Sequence, residues 1–149
     1  MYQVRQAAVA GAFYPAGSAE LSGAVESLLA NARAQTSDGF TSPKALIVPH
    51  AGYIYSGATA ALAYAQLTHL RSNIRRVVLI GPAHRVPVHG LALAGVASFS
   101  TPLGEIKVDL EATTALTRLP QITIDPAAHA REHSLEVHLP FLQAALDHF

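Results

Sequence analysis

The sequence predicts an α/β fold, three layers in αβα order around a mostly parallel central sheet. Three observations carry this expectation. Ala45-Leu46-Ile47-Val48 and Arg76-Val77-Val78-Leu79-Ile80 are short, almost wholly apolar runs of strand length, the texture of strands buried on both faces. Between them, 56–67 is rich in alanine and carries Leu62, Tyr64 and Leu67, which suits a helix packed closely on a sheet. Strand, helix and strand in that order close as a right-handed βαβ unit with parallel pairing.

In chain order, Val9-Ala10-Gly11-Ala12-Phe13-Tyr14-Pro15 is apolar but broken by glycine and proline, so an irregular arm laid on the domain is expected. Ser18 caps a helix whose apolar positions, Leu21, Val25, Leu28 and Leu29, recur at helical spacing. A polar connection over 35–43 leads to the first strand at 45–48, and Gly57 permits the next helix a close start. After the second strand, at 76–80, the texture changes to short pieces, 90–94 and 104–108, bracketing Ser98-Phe99-Ser100-Thr101-Pro102 as strands and turns. Asp109 is placed to cap a helix ending at 116 or 118, 121–124 forms another strand, and Asp125-Pro126 turns the chain. Over 134–149, Leu135, Val137, Leu139, Phe141, Leu142 and Leu146 predict helix, started or kinked at Pro140. The pattern then stops at Asp147-His148-Phe149 without a glycine cap or a further strand. One domain over 1–149 is expected, its sheet incomplete at the C-terminus and its open edge prone to self-association.

Composition narrows the function. Half of the residues are apolar and 13% are charged, which argues for a folded core rather than disorder. Ten basic residues balance ten acidic ones, so no overall field draws nucleic acid or anionic lipid, and neither is an expected partner. Arg71, Arg75 and Arg76 form the one basic cluster and read as a solvated connection. The sequence has no cysteine, which removes disulfides, thiolate ligands and a cysteine nucleophile within these residues. Neither GxxxxGK[ST] nor GxGxxG follows a strand, so no nucleotide is expected. The N-terminus lacks an apolar signal core and no uncharged apolar stretch reaches the roughly 18 residues of a membrane span, so the expected location is cytoplasmic.

The chemistry points to histidine. His50 and His84 each lie just beyond an apolar run, after Pro49 and after Gly81-Pro82, and ligands in open α/β sheets bind at the carboxyl ends of strands. Neutral imidazole is the commonest metal ligand, and three imidazoles converging from separate loops leave coordination positions open. The competing reading is a loop histidine bonded to backbone. Further along, His129, His133 and His138 are all candidates for the third position. His129-Ala130-Arg131-Glu132-His133 also matches the H-x-x-E-H pattern of metalloproteases, in which Glu132 would activate water. Glu132 and Glu136 are four apart, so on a helix they share a face, and either can orient a bound imidazole or serve structure alone. Ser56 and Ser134 lack a nucleophile-elbow motif, and Tyr53 and Tyr55 either pack or meet a substrate.

Five of these segments, 9–15, 48–57, Gly81-Pro82-Ala83-His84, Thr101-Pro102-Leu103-Gly104 and 132–141, together resemble the Memo-like family, also called AmmeMemoRadiSam system protein B. The resemblance covers nearly the whole chain and implies the N-terminal half of a longer protein. It also implies a fold similar to class III non-haem iron extradiol dioxygenases and a pocket that gathers three histidines with, in many members, a cysteine. His50, His84 and His133 match the histidine positions, which selects His133 over its neighbours. The expected cofactor is a divalent or redox metal, iron or copper ahead of zinc. The expected function is metal-dependent, dioxygenase-like redox chemistry, with a non-catalytic module for a peptide or small molecule as the alternative and an H-x-x-E-H hydrolase third.

Overall fold

Leu21, Val25, Leu29 and Ala32 recur every three or four positions, so one face of a helix is apolar and must find cover. In the computed structural model, which describes residues 3–35 and 42–149, they are buried on α1 (Ser18–Gln35). Their cover is α2 (Tyr53–Ala65), through Ala60, Ala61 and Tyr64, and α5 (Leu139–Ala145), through Phe141 and Leu142. Gly57 lets the first two helices approach, since a Cβ there would stand 3.1 Å from Leu28 Cδ1. Tyr64 stacks on Phe141 with ring centroids 5.2 Å apart. Leu29 is fully enclosed among these side chains, and truncating a core leucine of that kind costs about 2–5 kcal/mol.

Helices and parallel strands coexist, as an α/β fold requires. β1 (Val4–Arg5) pairs in parallel with β3 (Ser98–Thr101), which forms an antiparallel hairpin with β4 (Gly104–Lys107). A second sheet joins β2 (Leu91–Leu93) in parallel to β5 (Ile122–Ile124). The cap expected at Asp109 is in place, and Asp125, expected only to turn the chain, caps a helix as well. Asp109 accepts from Ala112 N at 2.9 Å to start α3 (Leu110–Leu116), and Asp125 accepts from Ala127 N at 3.0 Å to start α4 (Pro126–Ala130). Pro140 sits in the first turn of α5, after a 3₁₀ turn at Glu136–His138, where its missing N–H costs nothing. The helix expected over 134–149 is therefore two short pieces.

The central βαβ unit differs from expectation. Residues 45–48 and 76–80 join neither sheet, although α2 lies between them in sequence. Their exposure alternates as in a strand. Leu46, Val48, Val77 and Leu79 pack against the helical core, whereas Ile47 is 102% exposed, Val78 75% and Ile80 76%. An all-apolar run specifies cover on both faces, but among the described residues α1, α2 and α5 cover only one. No strand among those residues takes up their backbone ladder groups. Most of the polar connection expected over 35–43 lies outside the described residues. No helix among the described residues is long and apolar enough to cross a membrane.

The N-terminal arm is irregular, as its glycine and proline predict, and is fastened by charge. Glu136 is buried and accepts from Ala8 N at 2.9 Å, Val9 N at 3.0 Å, the Tyr14 hydroxyl and Arg5 Nη1. Arg5, itself buried, also donates to His129 O at 2.9 Å. Desolvation, then the Glu136 carboxylate, pushes the Tyr14 phenol well above its ordinary range, so it stays a donor.

Candidate metal centre

Each histidine reaches the site by a separate route. His50 follows the 45–48 segment through Pro49, just before α2 begins at Tyr53. Tyr53 N donates to Phe13 O at 2.8 Å, and a Cβ on Gly52 would stand 3.4 Å from that carbonyl, so the arm lies directly on this loop. His84 follows 76–80 through Gly81-Pro82, and the Ser134 hydroxyl donates to Pro82 O at 2.7 Å. A Cβ on Gly81 would come within 2.9 Å of Leu135 Cδ2 and 3.0 Å of Ser134 Oγ. Gly81→Ala is expected to cost about 1–3 kcal/mol through overpacking and to displace His84. An unchanged urea midpoint in that variant would refute this account of the contact.

The three side chains converge. One potential ligand atom from each of His50, His84 and His133 lies within 4.8 Å of the others, the one such group of His, Cys, Asp or Glu among the described residues. Ring centroids are 5.3 Å apart for His50 and His84, 5.9 Å for His50 and His133, and 4.7 Å for the nearly parallel His84 and His133. Phe13 closes one side, its ring 4.5 Å from that of His133. Phe13 is not legible in the sequence as a site residue, because it acts through a contact remote in sequence.

Glu132 is the charged group beneath the cluster. It is buried, and its Oε1 accepts from His133 N at 2.7 Å and Ser134 N at 2.9 Å while standing 2.9 Å from His84 Nδ1. Its Oε2 accepts from His84 N. Burial alone would raise its pKa, but the bonds from His84, Ser134 and His133 outweigh burial and bring it down to about 2. Glu132 is thus a carboxylate at any ordinary pH. His133 is pushed below its usual value by desolvation and by His84 and His50, against the opposing pull of Glu132. A neutral imidazole is the form in which His133 could bind a metal.

The other candidates are elsewhere. His129 Nε2 lies 2.9 Å from Ala92 O and its ring meets Phe99 edge-on, so it does not join His133. The H-x-x-E-H reading needs both histidines on one helix face, but α4 ends at Ala130 and the chain turns before Glu132. For the same reason Glu132 and Glu136 do not share a face; one faces the histidines and the other the arm. Tyr53 donates to Val137 O at 2.8 Å and packs in the core, while Tyr55 is exposed. Ser134 is 1% exposed and serves as a tie between loops. Arg71 pairs with Asp147 at 2.8 Å and Arg76 with Asp109 at 2.6 Å, both at the surface, as a solvated cluster should.

His138 is buried near the ring of Tyr64 and has no place in the cluster. Burial, then the proximity of His50, lowers its pKa from 6.5 to about 4. Between those values the unfolded chain binds a proton that the folded chain refuses, so stability falls as pH drops from about 6.5 toward 4. His133, shifted the same way, adds to the slope. His138→Gln should flatten the pH dependence of urea-unfolding free energy across this window; an unaltered slope would contradict the assignment.

Comparison with known proteins gives the family. The model of the Memo-like protein family matches residues 5–149. A MEMO1 family protein of Ignicoccus hospitalis is 42% identical over 147 residues, covering 94% of this chain and 51% of its own length. One from Aquifex aeolicus is 38% identical over 146 residues, covering 95% and 50%. Protein MEMO1 of Danio rerio is 34% identical over 144 residues, covering 96% and 46%. The chain spans about half the length of the curated relatives it matches. With the family model matching almost every residue, the chain belongs to the Memo-like family.

Proposed function

We propose that this chain contributes a histidine metal centre, His50, His84 and His133, to a protein with metal-dependent, dioxygenase-like redox chemistry. The convergence of three imidazoles from three separate loops is the observation that carries the reading. The donor set fits a metal ion. The His133 side chain is mostly buried and desolvation lowers the pKa of its ring, in keeping with a neutral ligand. The potential ligand atoms of the three histidines lie within 4.8 Å of one another, and the partly exposed His84 has room to draw closer to an ion.

Three neutral ligands keep the charge on the ion, and nitrogen donors suit iron or copper as well as zinc. A bound redox ion would supply the open positions and the electron transfer that such chemistry requires. The protein residues supply the surroundings: Phe13 shields one face of His133, and Glu132 holds the His84 loop. Metal analysis of protein purified without an affinity tag tests the reading against a variant with all three histidines replaced by alanine. Iron or copper near one equivalent in the first and none in the second is expected; equal, negligible metal in both would overturn it.

A second reading, a module that binds a small molecule or peptide without turnover, draws on one observation. A cavity of about 620 Å³ lies between the 75–79 segment and β2, with Val77, Leu79, Leu135, Leu139 and Leu142 among its apolar lining. Ligand binding that survives replacement of all three histidines would favour this reading over the metal one.

A further inference from the structure

We infer that Glu132 is a shared positioning residue that sets the tautomer of two ligands at once, His84 and His133. The inference rests on the metal-centre reading for its purpose, though not for its geometry. Glu132 Oε1 is 2.9 Å from His84 Nδ1 and 3.3 Å from His133 Nδ1. One carboxylate oxygen therefore faces the same nitrogen of two stacked rings.

A carboxylate oxygen repels the lone pair of an unprotonated ring nitrogen and attracts an N–H. Each ring thus carries its proton on Nδ1 and keeps the lone pair on Nε2. Metal-bound histidines are commonly held this way, with the distal nitrogen fixed by a carboxylate or carbonyl. Here a single side chain serves two rings.

The backbone contacts explain why Glu132 can do this. Its oxygens are pinned by the amides of His84, His133 and Ser134, so the carboxylate cannot rotate away. They also explain the partnerless His133 Nδ1. Oε1 already accepts from two amides and from His84, so the fourth approach, at 3.3 Å, is attraction without a well-formed bond. The two rings are consequently held unequally. His84 is locked by a hydrogen bond, and His133 is biased electrostatically while Phe13 packs on it.

The test needs no redox ion and no turnover. Long-range ¹H–¹⁵N correlation spectra of the metal-free protein, recorded above the ordinary histidine range at pH about 7.5, report which ring nitrogen is protonated. Wild-type His84 and His133 are expected as Nδ1–H tautomers, and either ring found mainly as Nε2–H would overturn the inference for that ring. Glu132→Gln should move His133 toward the other tautomer and weaken Zn²⁺ binding, followed by calorimetry, by about 10–100-fold. Glu132→Asp, which keeps the charge, should recover part of both effects.

If untagged wild type carries no metal and binds no Zn²⁺ but has the expected tautomers, the metal reading fails and the positioning role stands. If wild type and Glu132→Gln bind Zn²⁺ equally with unaltered tautomers, the positioning role fails and the metal reading stands. Spectra of the wild-type protein decide the tautomers even if Glu132→Gln does not fold.

Discussion

Glu136→Ala is expected to cost about 3–5 kcal/mol of unfolding free energy, the range for removing one partner of a buried ion pair. Its loss leaves Arg5 Nη1, two arm amides and the Tyr14 hydroxyl without the acceptor they now share, and leaves the Arg5 charge with only the His129 and Glu132 carbonyls. Urea titration should show a lower midpoint with a similar slope, and a loss under about 1 kcal/mol would mean the arm finds other partners. Replacing both Arg5 and Glu136 with apolar residues of similar size should recover much of the loss, because the penalty lies in the unpaired charge rather than in the pair. The arm also carries Phe13, so the single variant should loosen the contact with His133 as well.

Gly90→Ala is expected to be the costliest glycine-to-alanine change among the described residues, at about 2–4 kcal/mol. Gly90 has φ +78, where a side chain costs about 1–2 kcal/mol, and its added Cβ would stand 2.2 Å from Gln121 O. That carbonyl accepts from Leu91 N at 2.8 Å and opens the pairing of β2 with β5, so relieving the clash means moving a strand. Gly104→Ala is the control, since Gly104 has φ +118 but open space around it and should show the conformational penalty alone. Gly23→Ala, at a position inside α1 with open space around it, should instead stabilise by about 0.5–1 kcal/mol. Equal melting temperatures for Gly90→Ala and Gly104→Ala would remove the close-approach argument.

Signals in the sequence specify the structure where local physics decides. The spacing of Leu21, Val25 and Leu29 places α1, Asp109 places a cap, and the arm is irregular as Gly11 and Pro15 require. The segments 45–48 and 76–80 are legible as apolar and strand-like but not in their pairing, because a backbone ladder depends on a neighbour remote in sequence. At the site, strand-end placement nominates His50 and His84, and only the family resemblance separates His133 from His129 and His138. Glu132 lies 48 positions from the histidine it holds, and Arg5 lies 131 positions from Glu136. No short motif encodes contacts of that kind.

Ile47, Val78 and Ile80 form an exposed apolar row, from which attraction between copies of this chain in solution is expected. Formal net charge is zero at pH 7, so nothing at long range keeps two such apolar rows apart. Mutual attraction should be greatest near neutrality, where the formal net charge is zero, and fall on acidification as the molecules gain positive charge and repel. Light scattering as a function of concentration would report this as an osmotic second virial coefficient that rises from about pH 7 to about pH 5.5, across the histidine range. The acidity that disperses the protein is the acidity at which buried His138 weakens its fold, so colloidal and conformational stability pull toward opposite ends of the same pH range.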